Sequence, residues 1–407
     1  MILDLSLIKQ NSHGKVLVAY SGGLDSHVLL HLLAHTPELS VRAIHIHHGL
    51  QAVADSWVNH CQAICKQLNI PLDIVYLKLN PAKGESIEAV AREGRYQALK
   101  ESLQADEMLL TAQHLNDQSE TLLLQLFRGA GVQGLAAMPK LCDFGAGKHA
   151  RPLLKTTRKE LEAYAENHQL NSIEDPSNQD KSFDRNFLRK EILPILRNRW
   201  LGLDRALSRS ASIQAETKEL LDELAAEDLK NIHNGKTNTL QIEKLLNLSL
   251  KRQKLLLRYW IANSGFKYPS EKKLQHIFSD VINARDDAIP LVEWQGVQIR
   301  RYKNQLYIMP PLSKHDASQS FHWDGKKPLY IASLDLTLQP NILEQKSQSI
   351  TVRFRQGGEK FYDTKRNHAI SLKNHLSEAG IPPWLRSRVP LIYMDDRLIQ
   401  VIGLSSK

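Results

Sequence analysis

The hexapeptide Ser21-Gly22-Gly23-Leu24-Asp25-Ser26 joins an apolar run, Val16 to Tyr20, to a second apolar segment, His27 to Leu33. Glycines at such a junction let backbone N–H groups approach an anion closely, and a helix that starts there adds unpaired N–H groups and the favourable end of its dipole. The pattern describes a phosphate cradle, with all six residues as nucleotide contacts. No Gly-Lys-[Ser/Thr] closes it, so it is not a Walker A loop. Asp25 would repel a phosphate unless a cation lay between them, which points to Mg2+ bridging carboxylate and phosphates. The alternative is a plain glycine turn in which Asp25 or Ser26 caps the helix.

A second polar motif, His114-Leu115-Asn116-Asp117-Gln118-Ser119-Glu120-Thr121, follows the run MLLTA. Taken alone it reads as a helix start, with Asn116 as cap and acidic residues meeting the dipole in the first turn. Glu88, Arg92 and Arg95 fall at i, i+4 and i+7 on one helix face, which by itself is an exposed ion-pair stripe worth about 0.2–0.5 kcal/mol per pair. Arg185 and Arg189 share a helix face as well, suited to a phosphate or to a structural ion pair. Near the end, Thr351 to Arg355 alternates and sends Arg353 and Arg355 to the face opposite Val352 and Phe354. Lys360, Lys365, Arg366, Lys373, Arg386 and Arg388 follow, interleaved with Phe361, Tyr362 and Trp384, a composition suited to backbone phosphates and a stacked base. His45, His47 and His48 invite a metal reading, but no carboxylate or cysteine motif completes a site.

The elements that must position these residues alternate two periods through the first half of the chain. Val16–Tyr20, Val41–His47, Ile74–Leu79 and Met108–Ala112 read as strands; His27–Leu33, Ala54–Leu68, Ser86–Leu103 and Asp117–Phe127 read as helices. Strands alternating with helices of this length imply a parallel sheet covered on both faces, with ligands beyond the carboxyl ends of the strands. After the Gly-rich stretch from Gly129, helices are expected over Arg158–His168, Asn186–Trp200 and Leu207–Ile232. The expected architecture is therefore an α/β, doubly wound parallel sheet over residues 1–212, a mainly helical middle domain over 213–312 with a small hairpin at Val297–Ile308, and a small α+β domain over 313–407.

The bulk composition fits this. A chain of 407 residues exceeds one ordinary core, and 42% hydrophobic with 24% charged residues is globular. The excess of 53 Lys+Arg over 44 Asp+Glu, net +9, favours an acidic partner such as nucleic acid. No apolar run is long enough to span a bilayer and no secretory leader is evident, so no membrane role and a cytoplasmic location are expected. Cys61, Cys65 and Cys142 form no C-x-x-C pair; with Val58 and Leu68, Cys61 and Cys65 fall on one apolar helix face and read as core.

SGGLDS resembles the signature of the N-type ATP pyrophosphatases, the PP-loop superfamily. HLNDQSET, followed by Arg128-Gly129 and Gly134-Leu135-Ala136-Ala137-Met138, narrows the resemblance to the lysidine synthetases and thiocytidine-forming enzymes of tRNA. ESIEAVAREGRY, Asp175-Pro176-Ser177-Asn178, Arg185-Asn186-Phe187-Leu188-Arg189, VRFRQGGEKF and PPWLRSRVPLIY resemble segments of the tRNA(Ile)-lysidine synthetases. That family resemblance implies a ligase. ATP adenylates the wobble cytidine of the CAU anticodon of tRNA(Ile), and free L-lysine then displaces AMP to form lysidine, so that the tRNA reads AUA as isoleucine rather than AUG as methionine. It implies catalytic and Mg2+-holding roles for Asp25 and Asp117. Substrate or phosphate contacts would fall to Arg92, Arg95, His114, Arg128, Arg185 and Arg189, and tRNA contacts to Arg353, Arg355, Lys360 and Arg386. It leaves room for a homodimer. A tRNA thiolase of the same superfamily is the competing reading, but such enzymes generally need a C-x-x-C pair, a persulfide cysteine or an iron–sulfur cluster, and the C-x-x-C pair is missing.

Overall fold

Val16, Leu17 and Val18 are wholly buried, and Met108, Leu109 and Leu110 nearly so. A strand flanked by helices on both faces needs apolar residues at successive positions rather than alternate ones, and these two runs supply them. In the computed structural model, which describes residues 3–47, 49, 54–79, 81, 87–235, 237–285, 288–340, 350–363, 368–394 and 396–403, they form the centre of a six-stranded sheet. The order along the chain is α1 (Leu5–Asn11), β1 (Lys15–Ala19), α2 (Leu24–Ala34), β2 (Ser40–His47), α3 (Ala54–Gln67), β3 (Leu72–Tyr76), α4 (Ile87–Ser102), β4 (Met108–Leu110) and α5 (Leu115–Phe127). Then come α6 (Val132–Leu135), β5 (Leu141–Phe144), β6 (Gly147–Ala150), α7 (Arg158–Asn167), α8 (Asp184–Phe187), α9 (Leu193–Arg199) and α10 (Leu203–Ile232).

The strands lie in the order β3-β2-β1-β4-β6-β5, all neighbours parallel except the β5–β6 hairpin. The chain steps outward from β1 to β3 and then returns to place β4 on the other side of β1. That reversal opens a crevice at the carboxyl ends of β1 and β4, where ligands of doubly wound sheets bind. Both polar motifs start there.

The sequence reading is corrected at several elements: β3 spans Leu72–Tyr76 rather than Ile74–Leu79, and α5 begins at Leu115 with His114, not Asn116, as its cap. The β5–β6 hairpin was not anticipated, because its short strands carry Asp143, Lys148 and His149 among few apolar residues. The helix expected over Asn186–Trp200 is broken into α8, a wide π turn at Leu188–Ile192, and α9. Pro194 has no N–H to continue the ladder, so the chain cannot run through as one regular helix.

The described chain forms two compact units, Met1–Leu220 and Leu221–Lys407, and their boundary falls inside α10. Residues 212 and 213 lie within the same helix. The second unit opens with β7 (His233–Asn234), β8 (Thr239–Gln241), α11 (Ile242–Leu246), α12 (Leu250–Asn263), α13 (Glu271–His276), β9 (Leu291–Trp294), β10 (Val297–Tyr302) and β11 (Gln305–Met309). The expected hairpin is β10–β11, but it sits inside a five-stranded antiparallel sheet, β7-β8-β11-β10-β9. Its helices cover a core that includes Leu256, Trp260, Ile277 and Ile299.

The remainder holds β12 (Ser320–Trp323), β13 (Leu329–Ile331), β14 (Leu336–Leu338), β15 (Ile350–Arg353), β16 (Lys360–Asp363), β17 (His368–Ser371), α14 (Leu372–Glu378), α15 (Pro383–Arg386), β18 (Leu391–Met394) and β19 (Arg397–Val401). β12, β15, β18 and β19 make a four-stranded antiparallel sheet, an α+β arrangement with Val352, Phe354 and Ile392 in its core.

Candidate active site

Gly22 has φ +83°, and a Cβ placed on it would lie 2.5 Å from Ile173 Cδ1 and 3.0 Å from Cys61 Sγ. Its carbonyl accepts the N–H of Ile173 at 2.9 Å. The turn between β1 and α2 is thus held in a left-handed conformation open to glycine and closed to a side chain. Gly23 is the N-cap of α2, and no side chain caps that end. Ser21 and Ser26 hydroxyls meet at 3.1 Å and close the loop. Asp25 lies in the first turn of α2, beside the uncapped end.

Across the switch point, His114 caps α5. Its Nδ1 accepts the N–H of Asn116 at 3.2 Å, while Asp117 Oδ2 accepts the His114 backbone N–H at 3.0 Å. Because Nδ1 is an acceptor, the proton of the neutral ring sits on Nε2. That nitrogen lies 3.5 Å from Asp117 Oδ2 and 3.8 Å from Asp25 Oδ2. The fold therefore converges the two candidate carboxylates, from motifs about ninety residues apart, on one imidazole edge. Gln118 in the next position clasps Met138, donating to its carbonyl at 2.8 Å and accepting its N–H at 3.0 Å, which ties the GLAAM loop to α5.

Cations encircle this centre. Arg158, the first residue of α7, donates to Asp25 Oδ1 at 2.7 Å. Arg189, at the π turn, donates to Asp117 Oδ1 at 3.0 Å and to both oxygens of the buried Glu120 at 2.6 and 2.8 Å. Burial opposes the charge of Arg189, but Glu120, Asp117 and Asp25 outweigh it and hold its pKa above the ordinary value. Arg185 reaches Thr121 Oγ1 at 2.8 Å and Glu120 at 3.3 Å. The structure thus gives Arg185 and Arg189 carboxylate partners inside the site, and it is Glu120, whose role the sequence reading left open, that anchors them.

Arg92 and Arg95 stand over the ring of Tyr96, at 5.2 and 5.9 Å from its centroid. Glu85 and the side chain of Glu88 lie outside the described residues. Arg128 is exposed at the C-cap of α5 and, among the described residues, its guanidinium has no partner. Beneath the edge, Arg151 Nη2 donates to His149 Nδ1 at 3.3 Å; His149 Nε2 meets Thr111 Oγ1 at 2.7 Å, and that hydroxyl donates to Gln113. Burial, then the neighbouring Arg151, pushes His149 down to about 3, so the chain of bonds runs through a neutral ring. Arg158, His149 and Arg151 were missed by sequence reasoning. The capping box Thr157-x-x-Glu160 was legible and fixes where α7 starts, but nothing local says that its first residue faces Asp25.

The cysteines Cys61 and Cys65 are core, as their spacing suggested. His45 is buried with Nδ1 3.0 Å from the Tyr20 carbonyl, and His47 packs on Tyr76; His48 lies outside the described residues. In the second unit, Arg353 pairs with Asp396 at 2.6 Å and lies 4.9 Å from the Tyr393 ring centroid. Arg355 lies 3.9 Å from Glu359. Arg386 donates to the Ile381 carbonyl at 2.9 Å and to Tyr302 Oη at 3.0 Å, so its guanidinium is consumed within the unit. Lys360 has no partner among the described residues and lines a cavity of about 520 Å³ with Glu359, Tyr393 and Arg397. Lys365 and Arg366 lie outside the described residues.

No three His, Cys, Asp or Glu side chains among the described residues are arranged to hold a metal. Two converging carboxylates at an uncapped helix N-terminus suit the other common arrangement, in which Mg2+ takes one or two carboxylates and completes its shell with phosphate oxygens and water. The site fits such an ion together with a phosphorylated ligand.

A glycine cradle and paired carboxylates at the switch point of a parallel sheet define a PP-loop protein, and the family model described as the PP-loop domain matches residues 4–196. The models described as the TilS substrate binding domain and the TilS substrate C-terminal domain match residues 240–307 and 350–407. The chain is 44% identical over 405 residues to the tRNA(Ile)-lysidine synthase of Coxiella burnetii, covering 96% of this chain and 89% of that relative. It is 44% identical over 417 residues to that of Serratia proteamaculans, covering 99% and 94%. The chain belongs to the tRNA(Ile)-lysidine synthase family.

Proposed function

We propose that this chain uses ATP to adenylate O2 of the wobble cytidine in the CAU anticodon of tRNA(Ile) and then ligates L-lysine to carbon 2, in the cytoplasm. The observation that carries this reading is the meeting of Asp25 and Asp117 at His114 Nε2, above the glycine cradle, in a chain that matches its family along nearly its whole length. A thiolase reading has no comparable support.

The oxygen on cytosine carbon 2 is a poor leaving group; its attack joins it to the α-phosphorus of ATP as pyrophosphate departs, so that it can leave in the next step as part of AMP. Backbone N–H groups of the Ser21–Ser26 turn and the α2 N-terminus hold the phosphates, fixed where charge develops as pyrophosphate departs. Asp25 and Asp117 would hold Mg2+, which when bound supplies charge neutralisation on the phosphates. His114 Nε2 lies 3.5 Å from Asp117 Oδ2 and 3.8 Å from Asp25 Oδ2, and the His114 backbone N–H holds Asp117. In the second step lysine must attack as a neutral amine although its free pKa is about 10.4, so a base is required. We assign that role to Asp117, whose Oδ2 accepts the backbone N–H of His114. We assign Arg92, Arg95 and exposed Arg128, the last at the end of α5 away from His114, to contacts with tRNA phosphates. Lys360 and its cavity, with Arg353 and Arg355 alongside, serve the tRNA body; Arg386 acts by holding that surface together. We divide these tasks among a catalytic domain (1–212), a substrate-binding domain (213–312) and a tRNA-binding domain (313–407).

The test is incorporation of radiolabelled L-lysine into unmodified tRNA(Ile) with a CAU anticodon, given ATP and Mg2+, beside a methionine tRNA with the same anticodon. Label should enter the isoleucine tRNA alone and fall at least about a hundredfold in Asp25→Ala and Asp117→Ala, the scale of losing a preorganised charge contact. Pyrophosphate release without lysine incorporation would point to another nucleophile.

A further inference from the structure

Arg158 stands outside both polar motifs, yet it makes the shortest contact to Asp25 recorded in the structure. Its Nη1 donates to Asp25 Oδ1 at 2.7 Å, its Nε donates to Glu162 at 2.8 Å, and its backbone N–H donates to Asn116 Oδ1 at 2.9 Å. The side chain is 39% exposed, so it has somewhere to go. Three anchors therefore place one guanidinium between the glycine cradle and the start of α5, with Glu162 as a pivot on its own helix. Burial opposes its charge, and Asp25, then Glu162, more than restore it.

Asp25 cannot keep this partner and take a divalent ion on the same carboxylate without bringing two cations together. The arrival of a metal-bound triphosphate also brings several new negative oxygens to the adjacent helix N-terminus. A guanidinium released within reach of phosphate oxygens binds them in its planar fork. We propose that Arg158 is an exchangeable counter-ion: it neutralises Asp25 in the empty site, is displaced from it by the divalent ion, and moves onto the β- and γ-phosphates of ATP. When the bond between the α-phosphorus and the bridging oxygen breaks, the electron pair stays on the pyrophosphate and Arg158 stabilises that charge, keeping its own proton. Departure of pyrophosphate with its ion returns Arg158 to Asp25.

This rests on the nucleotide-binding role of the site proposed above, and the measurements separate the two. Mn2+ binding to the nucleotide-free chain is followed by electron paramagnetic resonance, and binding of inorganic pyrophosphate and of AMP, each with Mg2+, by calorimetry. In Arg158→Ala, Mn2+ should bind at least about threefold more tightly because its competitor is gone. Pyrophosphate should bind at least about tenfold more weakly, with AMP within about twofold of the wild type. Arg158→Lys, which keeps the charge without the fork, should fall between for pyrophosphate and guards against a folding defect in the alanine variant. Unchanged or weaker Mn2+ binding in Arg158→Ala, or equal losses for AMP and pyrophosphate, would overturn the proposal and leave Arg158 as a staple between α7 and α2. A wild-type chain that binds no pyrophosphate with Mg2+ would instead overturn the nucleotide role itself.

Discussion

Gly22 and Gly23 are neighbours of identical chemistry that answer to different demands. Gly22 is required by the fold: positive φ and the nearby Ile173 and Cys61 leave no place for a Cβ. Gly23 has φ −71° and a hypothetical Cβ no closer than 3.6 Å to Ser21 Oγ, so the protein alone would accept alanine there. Gly22→Ala should therefore lose about 1–2 kcal/mol from backbone conformation alone, a Tm drop of roughly 2–8 °C by differential scanning fluorimetry. Gly23→Ala should fold to within about 0.5 kcal/mol of the wild type and yet raise the KM for ATP about tenfold, because the methyl group occupies the space through which phosphate approaches the backbone. Normal ATP binding by a stable Gly23→Ala chain would refute the cradle.

At the scale of elements, the strand–motif–helix units were legible because each is local: an apolar run, a turn, a capped helix. The residues that complete them were not. Arg158 meets Asp25 across 133 positions and Arg189 meets Glu120 across 69, distances over which no periodicity carries information. Arg353 and Arg355 took the face their alternation assigned, but their pairing with Asp396 and Glu359 depends on a turn and a loop the pattern does not mark. Histidines on β6, α2 and β2 carry a signature of their own. Burial, with Arg151 beside it, pushes His149 down to about 3, and burial with neighbouring histidines pushes His31 down to about 4, while His27 and His45 are also lowered by burial. An unfolded chain takes up these protons near pH 6.5 and the folded one does not, so stability must fall as pH drops from about 6.5 toward 4, at up to about 1.4 kcal/mol per pH unit for each group. Tm measured against pH should show this decline, and His149→Gln should flatten it; a profile identical to the wild type would mean that His149 is protonated in the fold.

For the whole molecule, a net charge of +9 predicts a tRNA affinity that falls at least about tenfold between 50 and 200 mM salt. Lys360→Ala should reduce the slope of log affinity against log salt by about one, as loss of a phosphate contact does. Arg386→Ala should leave the slope alone and lower Tm, since its hydrogen bonds go to Ile381 and Tyr302; the reverse pattern in filter binding would exchange their roles. The bond between Gly22 and Ile173 bears on how the chain is made. A ribosome that has just finished α5 has synthesised both polar motifs, but neither has its lock: the carbonyl of Gly22 waits for residue 173, Asp25 for residue 158, and Asp117 for residue 189. The nucleotide edge, whose first motif is made long before its last lock, therefore becomes a working surface only once residue 189 has joined the chain, and until then its acidic groups lack the cations that hold them in place.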